Sequence, residues 1–243
     1  MCRHLAYLGP PVAVHDLLFG APHSLAEQSR HPRFQTSGRT NPDGWGVGWY
    51  ADGRPGSAPE QYRTVTPIWD DCAFADALRS LKSGAFLAAA RLASPGATIV
   101  ESGNAPFRDG RWLFSLNGIV HGFTEGVGDD LRDRLSAHRR AGIVGDADSE
   151  VLFALTLERL DTGAPAHEAL AEVVHQVREI TTGRLNLLLT DGEHVAGTCA
   201  GNSLFARDTT IASEPLDDAP AWHEIPDDSV VRLAGDGAVV ERL

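Results

Sequence analysis

The stretch of the chain that most constrains its fold reads Gly44-Trp45-Gly46-Val47-Gly48-Trp49-Tyr50. In an extended strand, alternate residues point to opposite faces, so the three glycines share one face and the two tryptophans and the valine share the other. A face without side chains allows another segment or a substrate to approach the backbone closely. Close packing without a ligand is the more common outcome, and we favour it for this segment taken alone. The spacing does not match a dinucleotide-binding fingerprint, because no helix start follows it.

Strand and helix patterns follow a definite order along the rest of the chain. Apolar or alternating runs predict early strands at residues 2–8, 85–92 and 111–116. Two helices are predicted next, from Ser149 to Leu160 and from Pro165 to Ile180. Later strands are predicted at residues 185–189, 194–199, 204–207, 210–212, 230–233 and 238–243. This order is typical of an α+β fold, and because we find no linker we expect one domain spanning residues 1–243.

The segments between these elements are less regular. Residues 12–19 predict a short helix, and residues 68–81 also have helical spacing. Residues 20–43 are rich in Pro, Ser, His and Gly and predict a long loop. Asp191-Gly192 predicts a hairpin turn between two of the later strands.

Composition argues against several classes of protein. The 243 residues include 33 acidic and 21 basic ones, so the net charge is −12 and no basic surface is available for nucleic acid or an anionic membrane. No apolar run reaches the roughly 18 residues of a membrane helix, and no signal-peptide core follows the N-terminus. The three cysteines, Cys2, Cys72 and Cys199, are odd in number and widely spaced. This pattern predicts a protein of the reducing cytoplasm that has neither disulfides nor a zinc site.

Cys2 is the most unusual residue of the sequence, because methionine aminopeptidase removes Met1 when the next residue is small. We therefore expect the mature chain to begin at Cys2. An N-terminal cysteine carries a thiol nucleophile and a free α-amine with a pKa of about 7.7–8.0, which can accept the thiol proton at neutral pH. A buried, inert cysteine in an N-terminal strand is the alternative, and for a single position it is the more common one.

Other polar positions could support acyl transfer. The Asn117 amide and the Gly118 N–H follow the strand at 111–116 and could stabilise an oxyanion, although an Asn-Gly pair is more often a hairpin turn. Arg91 ends an apolar run, where its guanidinium would bind a carboxylate or form a structural ion pair. Asp148 either binds an ammonium group or caps the following helix, which is the more common role.

The histidines predict no metal site. Neither Cys2-x-His4 nor the pair His167 and His175 has a recognised ligand spacing, and the sequence contains no H-E-x-x-H. We expect neither a metal nor any other cofactor.

The order of these motifs is more specific than any one of them. The motifs are Cys2, the segment 41–50, Arg91, the pair Asn117-Gly118 and the run Asp148-Ser149-Glu150. Together they resemble the class II glutamine amidotransferase domain, an N-terminal-nucleophile hydrolase, and residues 185–192 and 212–215 extend the resemblance over essentially the whole chain. Residues 1–9 and 102–107 are most similar to the stand-alone γ-glutamyl hydrolases of ergothioneine biosynthesis within that family.

The resemblance implies a fold, a reaction and a set of roles. The fold would be a four-layer αββα sandwich with Cys2 at the end of a central strand. Cys2 would be the nucleophile with its own amine as base, and Asn117 and Gly118 would be the oxyanion donors. Arg91 would hold the α-carboxylate of the γ-glutamyl group, and Asp148 would hold its α-ammonium. Thiolate attack and hydrolysis of a γ-glutamyl thioester would convert γ-glutamyl-hercynylcysteine sulfoxide into glutamate and hercynylcysteine sulfoxide.

Two departures from the family pattern bear on the substrate. Many glutamine-using relatives have Arg-Trp-Ala-Thr-His-Gly where this chain has residues 91–96, and His-Pro where it has Ala105-Pro106. Both changes remove bulk or polarity near the implied pocket, so we expect a leaving group larger than ammonia. Its trimethylammonium group would suit an aromatic face, although core packing is the more common role of each candidate. The candidates are Trp45, Trp49, Trp69 and Trp112.

Alternatives to this function stay open. The protein could be a glutaminase that supplies ammonia to a separate synthetase, or a hydrolase of another γ-glutamyl amide. It could also be a binding or regulatory protein whose Cys2 is inactive because Met1 is retained or because the residue is modified. The amidotransferase-like domain accounts for all 243 residues, which favours a stand-alone hydrolase. We therefore expect a small-molecule γ-glutamyl substrate and no obligatory synthetase partner.

Overall fold

Two antiparallel sheets face each other at the centre of the computed structural model, which describes residues 2–36, 38–51, 56–94, 96–234 and 237–243. Within these ranges the strands are β1 Arg3–Ala13, β2 Trp45–Trp49, β3 Glu60–Thr64, β4 Lys82–Ala90, β5 Phe107–Asp109, β6 Trp112–Val120, β7 Gly183–Thr190, β8 Val195–Cys199, β9 Phe205–Arg207, β10 Thr210–Ala212, β11 His223–Glu224, β12 Ser229–Ala234 and β13 Gly237–Arg242. The first sheet has the order β11-β9-β10-β1-β4-β2-β3, and the second has the order β13-β12-β8-β7-β6-β5. The N-terminal strand β1 therefore lies inside its sheet, between β10 and β4.

Helices cover the outer face of each sheet. They are α1 Leu25–Arg30, α2 Cys72–Ala77, α3 Val127–Arg132, α4 Ala137–Ala141, α5 Asp148–Asp161 and α6 Ala166–Arg178. The second long helix ends at Arg178, before the predicted Ile180, and it has an apolar stripe, because Leu170, Val173, Val174 and Val177 are all fully buried against the second sheet. Burial of this apolar stripe stabilises the helix on the sheet more than its intrinsic propensity does.

Three apolar layers separate the four layers of secondary structure. Leu87, Leu113 and Leu188 lie between the two sheets. Leu152 and Val173 belong to the layer between the second sheet and its helices, and a third layer lies under α1 and α2. The predicted four-layer αββα sandwich of the α+β class is therefore confirmed.

The glycine face of β2 is covered by protein. A Cβ atom at Gly46 would lie 2.6 Å from the carbonyl oxygen of Ala105, and one at Gly48 would lie 2.6 Å from the Leu113 side chain. On the opposite face, Trp45 and Val47 are fully buried in the layer next to α1 and α2. Close packing of the sheet is therefore the correct interpretation, and it brings the segment that contains Ala105 onto β2.

Several predicted boundaries were wrong. Strand β1 continues to Ala13, so the predicted helix at 12–19 begins only at Val14, and Asp16–Gly20 forms a turn of the π type. The predicted loop at 20–43 contains α1, whose N-terminus is capped by Ser24. Residues 68–81 form a 3₁₀ turn and the short helix α2 with Asp71 as its N-cap. Strand β6 extends past the predicted end at Leu116 to Val120, because its pairing with β7 continues to that residue.

Candidate active site

A cavity of about 620 Å³ opens beside the N-terminal end of β1. Cys2, Arg91, Gly118 and Asp148 line it, although they are far apart in the sequence. Of the five residues singled out from the sequence, Asn117 does not line the cavity, because its side chain is fully buried behind the wall. The fold therefore brings four of the five to one surface and sets the fifth directly behind it.

Cys2 directly precedes β1, and its residue is half-buried. The ladder between β1 and β4 pairs Arg3 with Ala90, so continuing the antiparallel register sets Cys2 opposite Arg91. Because β1 lies inside its sheet, strands on both sides constrain the backbone that carries the thiol. Met1 and Pro95, which belong to two of the sequence motifs, lie outside the described residues.

Arg91 follows β4, and its backbone is anchored while its guanidinium faces the cavity. Its N–H donates to the Gly44 carbonyl at 2.9 Å. The guanidinium donates only weakly, from Nη1 to the Asn104 Oδ1 at 3.5 Å and to the Thr98 carbonyl at 3.4 Å. Gly103 leaves room beside it, since a Cβ there would lie 3.2 Å from Nη1. Among the described carboxylates none forms a salt bridge with Arg91, so its charge is available to a ligand.

Asp148 is the first residue of α5, and backbone donors orient its carboxylate. Oδ2 accepts the Val120 N–H at 3.0 Å, and Oδ1 accepts the Ser149 N–H at 2.8 Å. Burial raises the pKa of this carboxyl, although the two hydrogen bonds and the charge of Arg91 act in the opposite direction. The carboxylate is therefore costly to keep ionised and would gain from a cation in the cavity.

Asn117 and Gly118 lie within β6, so the strand-end position predicted for them is wrong and the hairpin-turn alternative is also excluded. Asn117 Nδ2 donates to Ser213 Oγ at 3.3 Å, while its Oδ1 has no hydrogen-bond partner among the described residues. Gly118 must be glycine at this point, because a Cβ atom there would overlap the backbone carbonyl of Arg184 on β7.

Sequence reasoning missed the contacts that join β1 to the residues after β10. The His4 N–H donates to Ser213 Oγ at 3.0 Å, and the Ser213 hydroxyl donates to the His4 carbonyl at 3.2 Å. The signal available in the sequence was the run 212–215, which the family resemblance includes but to which no role was assigned.

Buried charges surround the residue after Cys2. The fully buried Arg3 lies 3.5 Å from Glu214 through its Nε and donates from Nη2 to Gln35 Oε1 at 3.0 Å. Glu214 also accepts hydrogen bonds from His23 at 2.7 Å and from the Arg33 N–H at 2.9 Å. Burial alone would raise the pKa of Glu214, but these donors and Arg3 together hold it below its ordinary value. The network ties the start of β1 to the loop around residue 33.

The aromatic candidates do not line the cavity. Trp45 is fully buried, and its ring centroid lies 5.6 Å from that of Tyr62 and 5.9 Å from that of Phe74. The aromatic residues that line the cavity are Phe107 and Phe123. A cation would meet these two rings rather than any of the four tryptophans.

The described part of the chain holds no group of three or more His, Cys, Asp or Glu side chains that could bind a metal ion. None of its helices combines the length and apolar character needed to cross a membrane.

Comparison with known proteins agrees with this architecture. Residues 29–208 match the family described as class-II glutamine amidotransferases. The chain is 35% identical to the γ-glutamyl-hercynylcysteine sulfoxide hydrolase of Mycolicibacterium smegmatis, with 100% of both chains covered. It is 34% identical to the hydrolase of the same name from Mycobacterium tuberculosis, covering 100% of this chain and 97% of that protein.

Solved structures share the fold. A glutamine aminotransferase class-II domain protein from Silicibacter pomeroyi superposes with a TM-score of 0.71 at 26% identity, covering 100% of this chain and 99% of that one. The glutamine phosphoribosylpyrophosphate amidotransferase of B. subtilis superposes with a TM-score of 0.62 at 14% identity, and its match covers 100% of this chain and 49% of that chain. The chain belongs to the class II glutamine amidotransferase family.

Proposed function

We propose that this amidohydrolase cleaves the γ-glutamyl amide bond of γ-glutamyl-hercynylcysteine sulfoxide in ergothioneine biosynthesis and releases glutamate and hercynylcysteine sulfoxide. The observation that carries the proposal is the full-length identity of 35% to a hydrolase of that name. Hydrolysis of a γ-glutamyl amide follows from the family and from these relatives. The particular leaving group is the part that needs an experiment.

Cys2 is the proposed nucleophile, and it becomes the N-terminal residue when Met1 is removed. Its thiol transfers a proton to its own α-amine, and the sulfur then attacks the γ-carbonyl carbon to form a tetrahedral intermediate. Collapse of this intermediate breaks the C–N bond, and the α-ammonium returns the proton to the leaving nitrogen. A water molecule, deprotonated by the same amine, then hydrolyses the γ-glutamyl thioester and restores the thiol.

Opposite charges on the cavity wall support binding of the glutamyl head group. Arg91 has no described carboxylate partner and is proposed to bind the α-carboxylate through a charge-assisted pair of hydrogen bonds. Asp148 is proposed to bind the α-ammonium, which would compensate for the burial of its carboxylate. Neither residue would distinguish one leaving group from another, since both hold the part of the substrate that every γ-glutamyl compound shares.

Asn117 and Gly118 are the proposed oxyanion donors. One Nδ2 hydrogen of Asn117 is used by Ser213, and the second is proposed to reach the oxyanion from the buried position of the amide next to Gly118, behind the cavity wall. The Gly118 N–H would be the second donor, on the strand residue that lines the cavity. Such donors stabilise the negative charge that develops on the carbonyl oxygen in the transition state.

The cavity size supports a leaving group larger than ammonia. Its volume of about 620 Å³ lies within the range of roughly 300–1,000 Å³ found for sites that enclose drug-sized ligands. Ser94 and Ala105, which stand where many glutamine-using relatives have larger or more polar groups, both lie on its wall. Because the relatives that the chain matches over their full length are named as hydrolases, we also propose that the enzyme needs no synthetase partner. A cytoplasmic location stays a prediction from the cysteine pattern.

Kinetics on paired substrates test the proposal. The purified full-length protein should show a higher kcat/KM for the sulfoxide conjugate than for glutamine, and intact mass should show loss of one methionine. An electrophilic glutamine analogue should add one γ-glutamyl-like group to the wild type and none to Cys2→Ala. A higher kcat/KM for glutamine would refute the substrate, and full activity with Met1 retained would refute the free-amine base.

A further inference from the structure

A second cavity of about 700 Å³ adjoins the one that contains Cys2. Ser102, Phe107 and Glu150 line both cavities, so the two share a wall. A substrate whose γ-glutamyl group lies between Arg91 and Asp148 could therefore extend its leaving group along Ser102, Phe107 and Glu150 into the second cavity. The proposed function uses only the first cavity.

The second cavity has an apolar side and a basic side. Phe107, Phe153 and Leu157 supply apolar side chains. Arg63 and Arg108 lie on the basic side, and the carboxylates of Asp109 and Glu150 also line the cavity. A ligand that combines a ring or an aliphatic chain with an anionic group would match both sides.

Arg63 and Arg108 carry charges that no described carboxylate pairs with. Arg63 Nη1 donates to the Ser102 carbonyl at 3.0 Å and to the Asn104 carbonyl at 3.3 Å. Arg108 Nη1 donates to the Pro59 carbonyl at 3.0 Å. These acceptors are neutral, so both guanidinium groups keep their full positive charge and further donors.

Another arginine of the same cavity provides a contrast. Arg139 binds Asp109 at 2.7 Å and Asp161 at 2.7 Å, so its charge is already neutralised within the protein. Burial, most of all, and the charge of Arg108 lower the pKa of Arg63, while the carboxylates of Glu101 and Glu150, which form no described salt bridge with it, act in the opposite direction. An anion between the two guanidinium groups would relieve both effects.

The position of Arg63 is fixed by the glycine face of β2. Its residue pairs with Gly46 across the ladder, and a Cβ at Gly46 would lie 2.8 Å from Arg63 Cγ. The missing side chain gives the arginine stem room to cross β2 and reach the carbonyl groups of residues 102 and 104. Arg63 thus holds the segment that forms the wall between the two cavities.

We propose that the second cavity binds the distal part of the leaving group through a carboxylate that Arg63 and Arg108 contact. The inference rests on the proposed function, because it assigns a place to the amine that leaves from the γ-glutamyl carbonyl. It makes the enzyme selective for γ-glutamyl amides of amino acids over those of uncharged amines. Arg63 and Arg108 are specificity-determining residues in this assignment, and they take no part in bond cleavage.

Binding to the full-length Cys2→Ala variant tests the assignment without turnover. Calorimetry would compare γ-glutamyl-ε-aminocaproate with its primary amide, which has the same length and no negative charge at its distal end. We expect the carboxylate to bind about tenfold more tightly, since a charge-assisted contact of roughly 1.5–3 kcal/mol corresponds to a tenfold effect or more. Adding Arg63→Gln and Arg108→Gln should abolish this preference, and Arg63→Lys with Arg108 intact should retain most of it.

A matched variant separates the charge effect from a general one. Arg140→Gln removes an exposed arginine that pairs with Asp133 and does not line the cavity, so the preference should persist. Equal binding of the two compounds to Cys2→Ala, or a preference that survives loss of both arginines, would overturn the assignment. Failure of the proposed function is a separate result, because it would appear in the steady-state kinetics of the wild type, as a higher kcat/KM for glutamine than for the sulfoxide conjugate.

Discussion

The Asn117 amide donates from Nδ2 to the Ser213 hydroxyl oxygen at 3.3 Å, across a sequence separation of 96 residues. The same oxygen accepts the His4 N–H at 3.0 Å and donates to the His4 carbonyl at 3.2 Å. A serine hydroxyl has one donor and two acceptor sites, so these contacts use it completely. Ser213 thus ties the proposed oxyanion donor on β6 to the backbone two residues after Cys2.

Replacement of Ser213 tests whether this tie positions the amide. Ser213→Ala should lower kcat about tenfold and leave KM nearly unchanged, because oxyanion stabilisation acts in the transition state. Steady-state kinetics would measure both constants, and the Asn117→Ala and Ser213→Ala effects should be less than additive in the double variant. Ser29→Ala, which removes a buried serine that donates to the Leu25 carbonyl in α1, should leave kcat unaltered. An unchanged kcat in a folded Ser213→Ala protein would show that Ser213 does not position the Asn117 amide.

Replacement of Arg91 should change KM, whereas replacement of Ser213 should change kcat. Arg91→Ala should raise KM by roughly tenfold to a hundredfold, because a charge-assisted contact contributes about 1.5–3 kcal/mol to binding. Arg91→Lys should recover part of the loss, since a lysine keeps the charge but not the planar pair of donors. Initial rates over a wide substrate range would measure these changes, and a KM equal to that of the wild type would exclude Arg91 from the binding site.

Replacement of Asp148 by Asn should increase the stability of the protein and weaken the binding of substrate. Burial raises the pKa of its carboxyl in the folded protein, so the unfolded chain ionises first as pH rises. The cost to stability develops as pH rises from the ordinary value of about 3.8 towards the raised folded value and persists above it. Asp148→Asn should therefore increase the free energy of unfolding at pH 7, and the gain should shrink in acid.

The same Asp148→Asn variant should bind substrate more weakly, because an amide cannot neutralise the α-ammonium group. Denaturant titrations at pH 7 and pH 4 would give the stability, and steady-state kinetics would give KM. A destabilised Asp148→Asn protein with normal KM would show that the carboxylate has a structural role alone, as the acceptor of the Val120 and Ser149 N–H groups.

His4 should make the free energy of unfolding depend on pH. Burial and the charge of Arg3 lower its pKa from 6.5 to about 3, and its Nδ1 lies 2.8 Å from Ser115 Oγ. The unfolded chain therefore takes up a proton first as pH falls below 6.5, and stability is lost between that pH and about 3. His4 should contribute a slope of about 1.4 kcal/mol per pH unit. His4→Gln should lose this slope, and parallel stability curves for the two proteins would contradict the prediction.

Gly46 connects the fold to the site. Gly46→Ala would bring a methyl group within 2.6 Å of the Ala105 carbonyl and 2.8 Å of Arg63 Cγ, so it should destabilise the protein by about 1–3 kcal/mol. Gly20→Ala is the control, since its nearest neighbour would be 3.6 Å away. Urea titration would measure both. Equal stability of Gly46→Ala and the wild type would mean that the segment containing Ala105 can move off β2 without cost.

The sequence by itself determined the class of the fold and the order of its long elements. The period of two around Gly46 and the stripe that includes Val173 required a sheet and a covering helix, since each pattern leaves one face to bury. The short elements α1, α3, α4, β3, β5 and β11 were missed because they have few apolar positions and depend on caps and pairing with distant strands.

Tertiary structure alone decided which residues meet. Arg91 and Asp148 line one cavity only because β4 ends beside β1 and α5 begins beside β6. Ser213 reaches Asn117 only because β10 pairs with β1 in the first sheet and β1 packs against β6 of the second. Local propensity carries no information about such contacts, since each depends on the burial of whole layers against one another. The sequence therefore predicted the chemical groups of the site, and the packing of the four layers decided their arrangement.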